Sequence, residues 1–209
     1  MICCSHNRIS APGTLRRLSP ALSWRLWTLL MALMLLTILP AVASDGDQAP
    51  TEAEIRAAFV FNFAKFTEWP ADVFADGDSP LTVGFLGADD ARTAFALLSA
   101  GKMINGRKIV VLELDSVPNT HQYQILFFRK FKGDTGLGAL GVPKDARTLT
   151  IGESENFLAR GGMIRLFVDD NRMRFDVNVG ASTRSQLRLS SKLLALARIV
   201  VNLPQPVGD

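Results

Sequence analysis

The sequence has very few of the residues that usually carry metal binding and nucleophilic catalysis. Its 209 residues include 2 cysteines, Cys3 and Cys4, and 2 histidines, His6 and His121. Without a cluster of imidazoles or thiols, the usual transition-metal sites, cysteine nucleophiles and serine–histidine triads have no ligands or bases. We therefore expect no metal, no cofactor and no catalytic residues. An exported hydrolase remains the minor alternative, which a robust turnover assay would revive.

Acidic residues are absent from the amino terminus, which is typical of a targeting segment. Residues 1–44 contain four arginines and no aspartate or glutamate, and an apolar run over residues 26–39 leads to Pro40 and small residues. A positive region, an apolar region and an Ala-x-Ala site predict a secretory signal peptide. We expect cleavage after Ala43 or Ser44 and a mature chain without stable membrane insertion.

Two other interpretations of this segment remain open. Residues 26–43 just reach the length that spans a bilayer, so an uncleaved anchor is the main alternative. Arg16 and Arg17 are half of a twin-arginine signal, but their neighbours match that signal poorly. General secretion to the periplasm is therefore preferred.

A basic surplus is also missing once the signal peptide is removed. The whole chain has 23 Lys and Arg against 20 Asp and Glu, and four of the arginines lie in residues 1–44, which leaves 19 against 20. A nucleic-acid-binding domain would keep a basic surplus, so we exclude that class. Both cysteines leave as well, so the core alone must stabilise the mature protein. About 165 residues are enough for one such domain.

The apolar patterns alternate between strand and helix periods and predict an α/β fold. Thr51 and Glu54 form a capping box that begins the first helix. Predicted helices lie at 51–66, 89–99 and 153–159, with a short one between 128 and 147 and a last one at 190–201; predicted strands lie at 81–86, 108–114, 124–128 and 147–151. We expect a three-layer single domain over residues 51–203, with a mostly parallel sheet and flanking helices. Residues 45–50 form a linker and residues 204–209 a tail.

A β-hairpin is predicted near the carboxyl terminus, with strands at 161–168 and 173–179 joined by Asp-Asp-Asn-Arg. In the second strand, methionine, phenylalanine and valine alternate with polar residues, as a half-buried strand requires. The polar row is Arg174, Asp176 and Asn178. It predicts either a solvated sheet face or a binding surface.

The first helix is apolar nearly all round, so we expect it to be buried on more than one side. Asn62 and Lys65 are its polar exceptions, and Trp69-Pro70 follows its end. A snorkelling lysine is the simpler interpretation. The alternative is a second binding surface, with Asn62, Lys65 and Trp69 as candidate residues.

Two further motifs have simple structural explanations. Residues 136–141 match G-x-G-x-x-G, but they do not directly follow a strand, and Pro143 would end any helix there. We interpret them as a glycine-rich turn. The carboxylate pairs Asp89-Asp90 and Asp169-Asp170 occur where helix caps and turns need them, and an acid/base role is their minor alternative.

Three blocks of this sequence resemble a known family. They are the run Asn62 to Pro70, the run Leu149 to Ile164 with Gly152, Phe157 and Gly162, and the carboxy-terminal runs Arg174 to Asn178 and Ser190 to Arg198. These blocks are similar to those of the YfiR family, also called YfiR/HmsC-like. The similarity covers nearly all of the mature chain.

The resemblance implies a periplasmic α/β domain without enzymatic activity, often dimeric. It also implies a partner: characterised relatives repress an inner-membrane diguanylate cyclase by binding its periplasmic sensor domain, which lowers cyclic di-GMP and biofilm formation. Other relatives occur with histidine kinases, so a kinase sensor domain is the alternative partner. A periplasmic small-molecule-binding protein is the alternative function.

Two positions depart from the family pattern. Relatives have disulfides that bear on redox sensing, but the strand that often starts Cys-His begins here with Tyr123-Gln124. Redox regulation through those disulfides is therefore not expected. Gln186 stands where relatives often have glycine, which puts a tight turn before Leu187 in doubt.

Overall fold

The computed structural model describes residues 49–87, 90–116, 122–129 and 147–204, which belong to one compact unit. The predicted signal peptide, His121, Asp89, the glycine motif at 136–141 and the short helix before residue 147 lie outside the described residues. The protein is a single α/β domain with flanking helices, as the sequence predicts.

Within the described residues, one sheet has eight strands and a second sheet has two. The strands are β1 (Thr67–Glu68), β2 (Leu81–Leu86), β3 (Met103–Ile104), β4 (Arg107–Leu114), β5 (Ile125–Phe128), β6 (Leu149–Gly152), β7 (Ile164–Asp169), β8 (Arg172–Asn178), β9 (Arg188–Leu189) and β10 (Ile199–Val201). The large sheet has the order β10-β8-β7-β6-β5-β2-β4-β3, and β1 pairs with β9. Its central neighbours are parallel, whereas β7–β8 and β3–β4 are antiparallel.

The helices are α1 (Glu52–Lys65), α2 (Asp90–Ser99), α3 (Val179–Arg184) and α4 (Ser191–Leu196), with a 3-10 turn at Ala71–Val73. The predicted capping box begins α1, because the Thr51 hydroxyl accepts from the Glu54 amide and the Glu54 carboxylate accepts from the Thr51 amide. Phe63 of α1 packs edge-on against Phe175 of β8, with ring centroids 4.9 Å apart. This contact places α1 on the sheet face that carries Phe175.

The predicted hairpin is confirmed, with β7 and β8 paired from Ile164↔Val177 to Asp169↔Arg172. Asp170 and Asn171 have φ of 47° and 59° at its tip. Two successive left-handed residues make a turn whose twist matches that of the strands, and Asp and Asn tolerate this conformation.

The sequence prediction of a helix at 153–159 is wrong. This segment is a series of turns closed by single hydrogen bonds, such as Phe157 N–H to the Ser154 carbonyl oxygen. The Phe157 side chain, 1% exposed, explains the turns. A Cβ at Gly152 would lie 2.4 Å from one edge of its ring, and a Cβ at Gly162 2.3 Å from the other. The chain bends to insert this ring between the two glycines.

The carboxyl-terminal helix is also shorter than predicted. Ser190 caps α4, whose last residue is Leu196, and residues 199–201 form strand β10 parallel to β8. Three consecutive β-branched residues favour an extended chain, and β8 offers them an unpaired edge. Val179, predicted as the end of the strand, begins helix α3 instead.

The turn before Leu187 forms despite the absence of glycine. Gln186 adopts a φ of 58°. Its N–H donates to the Thr183 carbonyl oxygen, and the Leu187 N–H donates to the Ser182 carbonyl oxygen. These two bonds form a Schellman motif, in which a left-handed residue ends a helix.

Candidate functional site

A buried carboxylate shared by two arginines lies on the face of the sheet opposite α1. Arg165 on β7 stands opposite Asp176 on β8. Arg198, just before β10, donates from Nε and Nη2 to the two Asp176 carboxylate oxygens at 3.1 and 2.9 Å. The Arg165 Nη1 lies 3.6 Å from Asp176 Oδ2. Asp176 is 4% exposed, so its charge is compensated by these guanidinium groups and not by solvent.

The same arginines stack on one aromatic ring. The guanidinium carbons of Arg165 and Arg198 lie 4.7 and 4.3 Å from the centroid of the Phe167 ring. Such contacts are individually worth about 0.5–2 kcal/mol. The hydrogen bond with Asp176 raises the pKa of Arg198 above its ordinary value, so this arginine stays cationic at any pH of interest.

A second carboxylate, that of Asp169, extends the group toward the hairpin tip. Arg174 Nε and Arg198 Nη1 lie 3.4 and 3.9 Å from Asp169 Oδ2. Three arginines therefore surround two aspartates, which leaves one excess positive charge. We call the following residues the arginine cluster: Arg165, Phe167, Asp169, Arg174, Asp176 and Arg198.

Asn178 does not belong to a solvated polar row. It is fully buried, and its Oδ1 accepts from the N–H groups of Ala181 and Leu203 at 3.2 Å. The first bond caps α3 and the second attaches the chain after β10. The prediction of a solvated face is thus wrong at Asp176 and Asn178, because ion pairs and a cap replace water there. Arg174 is the most exposed member of that row.

Asn62, Lys65 and Trp69 lie elsewhere. Asn62 and Lys65 are exposed on α1, which packs on the Phe175 face, whereas neighbouring positions 174 and 176 point to the opposite face. Trp69 is partly buried, and its Nε1 donates to the Gln124 carbonyl oxygen at 3.2 Å. The structure therefore separates the candidate residues into two groups and assigns Trp69 a structural contact.

Gln124 has a structural role of its own. It is 5% exposed, and its Oε1 accepts from the Thr82 N–H at 2.8 Å at the beginning of β2. A glutamine amide here links two parallel strands without a disulfide.

Four residues of the cluster are not among the predicted site residues: Arg165, Phe167, Asp169 and Arg198. Arg165 gave a signal, because it is the only charged residue between Gly161 and Val168. A cation in such an apolar strand indicates a buried anion on a neighbour. No sequence pattern places Arg198 beside Asp176, because that position depends on strand β10, which was not predicted.

The described residues also form a cleft of about 660 Å³ between α1 and α2, lined by Thr51, Ala53, Glu54, Asp90, Thr93, Ala94, Leu97 and Leu98. The Thr51 amide and hydroxyl, by hydrogen bonding, lower the pKa of the Glu54 carboxyl at its rim.

Among the residues described, no three His, Cys, Asp or Glu side chains are grouped as metal ligands. No helix in the described part of the chain is long and apolar enough to cross a bilayer.

Comparisons with known proteins give one family. No curated protein matches the chain. A crystal structure of a conserved domain protein from Vibrio cholerae O1 biovar eltor str. N16961 is similar at 10% identity and a TM-score of 0.44, covering 72% of this chain and 60% of that one. The chain thus spans less than two thirds of that protein. A family model described as YfiR/HmsC-like matches residues 53–198. Because this match covers more than half of the sequence, the chain belongs to the YfiR/HmsC-like family.

Proposed function

We propose that this protein is a non-enzymatic periplasmic regulator that binds the sensor domain of an inner-membrane diguanylate cyclase and represses it. Repression lowers cyclic di-GMP and biofilm formation. The observation that carries the proposal is the YfiR/HmsC-like match over residues 53–198, since this family suggests regulation of such a cyclase. Export by a cleaved signal peptide over residues 1–44 would bring the domain to the periplasm.

The chemistry of the arginine cluster supports binding over catalysis. Asp176 is already hydrogen bonded by Arg198 and contacted by Arg165, so no free carboxylate base is available there. Asn178 is occupied by two backbone amides. The polar groups at this site therefore shape and charge a surface.

We place the partner's binding surface over the exposed side of the arginine cluster. Arg174 and Asp169 are about two-fifths exposed there, and the cluster has one excess positive charge. Asn62 and Lys65 belong to a separate surface on α1, which we assign to a second contact with the partner or with a second copy. Trp69 has a supporting role, because its hydrogen bond to the Gln124 carbonyl oxygen attaches the segment after α1 beside the start of β5.

Repression would act by mass action. A regulator that binds the inactive sensor conformation more tightly shifts the population by the ratio of its affinities for the two conformations. A change from 1:99 to 99:1 needs a ratio of about 10⁴. Loss of a contact made only to the inactive conformation therefore raises cyclase output directly.

The test is deletion of the gene followed by complementation, with cyclic di-GMP measured in both strains. We expect a rise on deletion and a return on complementation by the exported chain. Complementation by the same domain without residues 1–44 is the control, and it should fail because the domain stays in the cytoplasm. Unchanged cyclic di-GMP on deletion, with unchanged output of a partner histidine kinase, would refute regulation of either enzyme.

The cleft between α1 and α2 favours a second candidate function, binding of a small molecule. Its volume of about 660 Å³ lies in the range of ligand sites, and Leu97 and Leu98 give it apolar walls. A thermal-shift screen of the purified domain against periplasmic metabolites tests this function. Leu97→Asp should abolish any shift if the cleft is the site; a shift that survives this substitution would place the ligand elsewhere.

A further inference from the structure

Among the strands that the structure describes, β10 forms one edge of the large sheet, and the directions of its backbone N–H and C=O groups follow from those of β8. The Asn178 N–H donates to the Met163 carbonyl oxygen toward β7, whereas the Phe175 carbonyl oxygen accepts from Arg198 toward β10. Backbone groups alternate in direction along a strand. Phe175 and Val177 therefore face β10.

Val200 is the residue whose backbone points away from the sheet. It pairs with Val177 in the parallel register, and in such a ladder Val177 bonds to the residues on either side of its partner. Those residues are Ile199 and Val201. The alternation does not extend back to Arg198, which lies at a bend before β10. The N–H and C=O of Val200 therefore point outward, and within the described residues β10 pairs only with β8.

This edge is apolar and well fixed. Leu196, Ile199 and Val200 are 74%, 47% and 46% exposed. Beyond β10, the Leu203 N–H donates to Asn178 Oδ1 and the Leu203 carbonyl oxygen accepts from Arg184 Nη1 at 3.0 Å. An ordered, open strand edge is the surface to which an extended chain adds by β-augmentation.

The charge beside this edge selects the occupant, because the arginine cluster, with one excess positive charge, adjoins β10 through Arg198. Residues 160–204 contain eight Lys and Arg against three Asp, although the chain after residue 44 is nearly neutral. Pairing of β10 with β10 of a second copy would bring together two surfaces with the same positive excess, which like-charge repulsion opposes. An extended segment with acidic side chains would instead meet opposite charge.

We infer that β10 is the edge to which an acidic, extended segment of the partner's sensor domain adds as an extra strand, with Val200 supplying the main-chain hydrogen bonds. This inference rests on the proposed function and names its contact surface. The edge continues the arginine cluster, since Ile199 pairs beside Asp176.

Two pairs of variants test it in the exported full chain, with cyclic di-GMP as the readout. Val200→Pro removes the outward N–H, and proline is tolerated where an edge strand's N–H faces outward; Val200→Thr keeps that N–H. Val200→Glu opposes an acidic segment, whereas Val200→Lys favours it. We expect the proline and glutamate variants to bind the partner at least tenfold more weakly and to raise cyclic di-GMP toward the deletion level. The threonine and lysine variants should repress.

Photocross-linking in cells identifies the occupant. A photoreactive benzoylphenylalanine at position 200 should capture a membrane protein with a cytoplasmic cyclase or kinase domain, through an acidic segment of its periplasmic domain. Position 110 on β4, also an exposed valine, is the control and should capture nothing. Capture of a second copy of this chain from position 200, or of the partner from position 110 alone, would overturn the inference.

The outcomes separate the two proposals. If deletion leaves cyclase and kinase output unchanged, the proposed function fails. If deletion raises output but all four variants at Val200 repress like the wild type, only the edge-strand inference fails. Should Val200→Pro not fold, as judged by circular dichroism, the glutamate and lysine pair decides, because it leaves the backbone intact.

Discussion

Gly152→Ala should destabilise the protein through a single steric conflict with Phe157. A Cβ at position 152 would lie 2.4 Å from Cδ2 and Cε2 of that ring, whereas carbon atoms pack at about 3.5–4.0 Å. The ring cannot retreat, because Gly162 holds its opposite edge and the side chain is 1% exposed. Neither glycine has a positive φ, so the cost is steric alone.

Overpacking of this kind costs about 1–3 kcal/mol, and the fixed ring places Gly152→Ala at about 2–3 kcal/mol. For a domain of this size, that lowers the thermal midpoint by roughly 4–12 °C. Urea unfolding of the mature domain, followed by circular dichroism, measures the free energy of unfolding directly. A loss below about 0.5 kcal/mol would refute the reasoning.

A double-mutant cycle shows whether Phe157 is the cause. Phe157→Leu removes the ring edge and alone should cost about 1–2 kcal/mol. The Gly152→Ala, Phe157→Leu double variant should lose less than the sum by about 1–2 kcal/mol, because the leucine leaves room for the new methyl group. Gly162→Ala is the control: its Cβ would also meet the Phe157 carbonyl oxygen at 2.7 Å, so Phe157→Leu should rescue it less. Additive losses at position 152 would contradict the account.

Three other predictions concern stability. Gln186→Gly should raise the free energy of unfolding in urea melts by about 0.5–1 kcal/mol, because glycine removes the cost of a left-handed φ of 58°. The gain is limited because glycine also increases the entropy of the unfolded chain, and Gln186→Ala should not stabilise the protein. The Glu54 pKa is lowered in the fold, so the stability that its carboxylate contributes is complete above the unfolded pKa and is lost as pH falls through the folded pKa. Glu54→Gln keeps the capping box, so in urea melts at several pH values it should flatten the loss of stability below about pH 5. An unchanged slope of unfolding free energy against pH would disprove this coupling. Asp176→Ala should lower the free energy of unfolding, measured in urea, by about 2–3 kcal/mol. This is less than the loss expected for a fully buried ion pair, because the arginine partners of Asp176 are partly exposed. Glu155→Ala, at an exposed position, is the control and should change stability by less than about 0.5 kcal/mol.

Local signals in the sequence predict much of this fold. Strand β2 has the predicted bounds, because a short apolar run lies between clear breaks. The capping box begins α1, and the hairpin forms where Asp and Asn tolerate positive φ. In each case the residues that decide the structure are neighbours in sequence.

The errors occur where distant residues decide. Nothing near Phe157 shows that Gly152 and Gly162 would enclose its ring, so the segment resembles a helix. Residues 199–201 continue a helical pattern, but pairing with the free edge of β8 outweighs helix propensity. The candidate site depends on the same strand, since Arg198 reaches Asp176 only when β10 is in place.

The burial of Asp176 and Asn178 limits which residues of the polar row can contact a partner. The alternation of apolar and polar residues is the same whether the polar face of a strand contacts water or buried counter-charges. The sequence period alone therefore could not distinguish a solvated face from a buried one. In the structure Asp176 holds two arginines on Phe167 and Asn178 holds α3 and Leu203. Substituting either residue would therefore disturb β10 and the surface around it together. Loss of binding in such variants cannot locate the contact, whereas substitutions at exposed Arg174 or Val200 can.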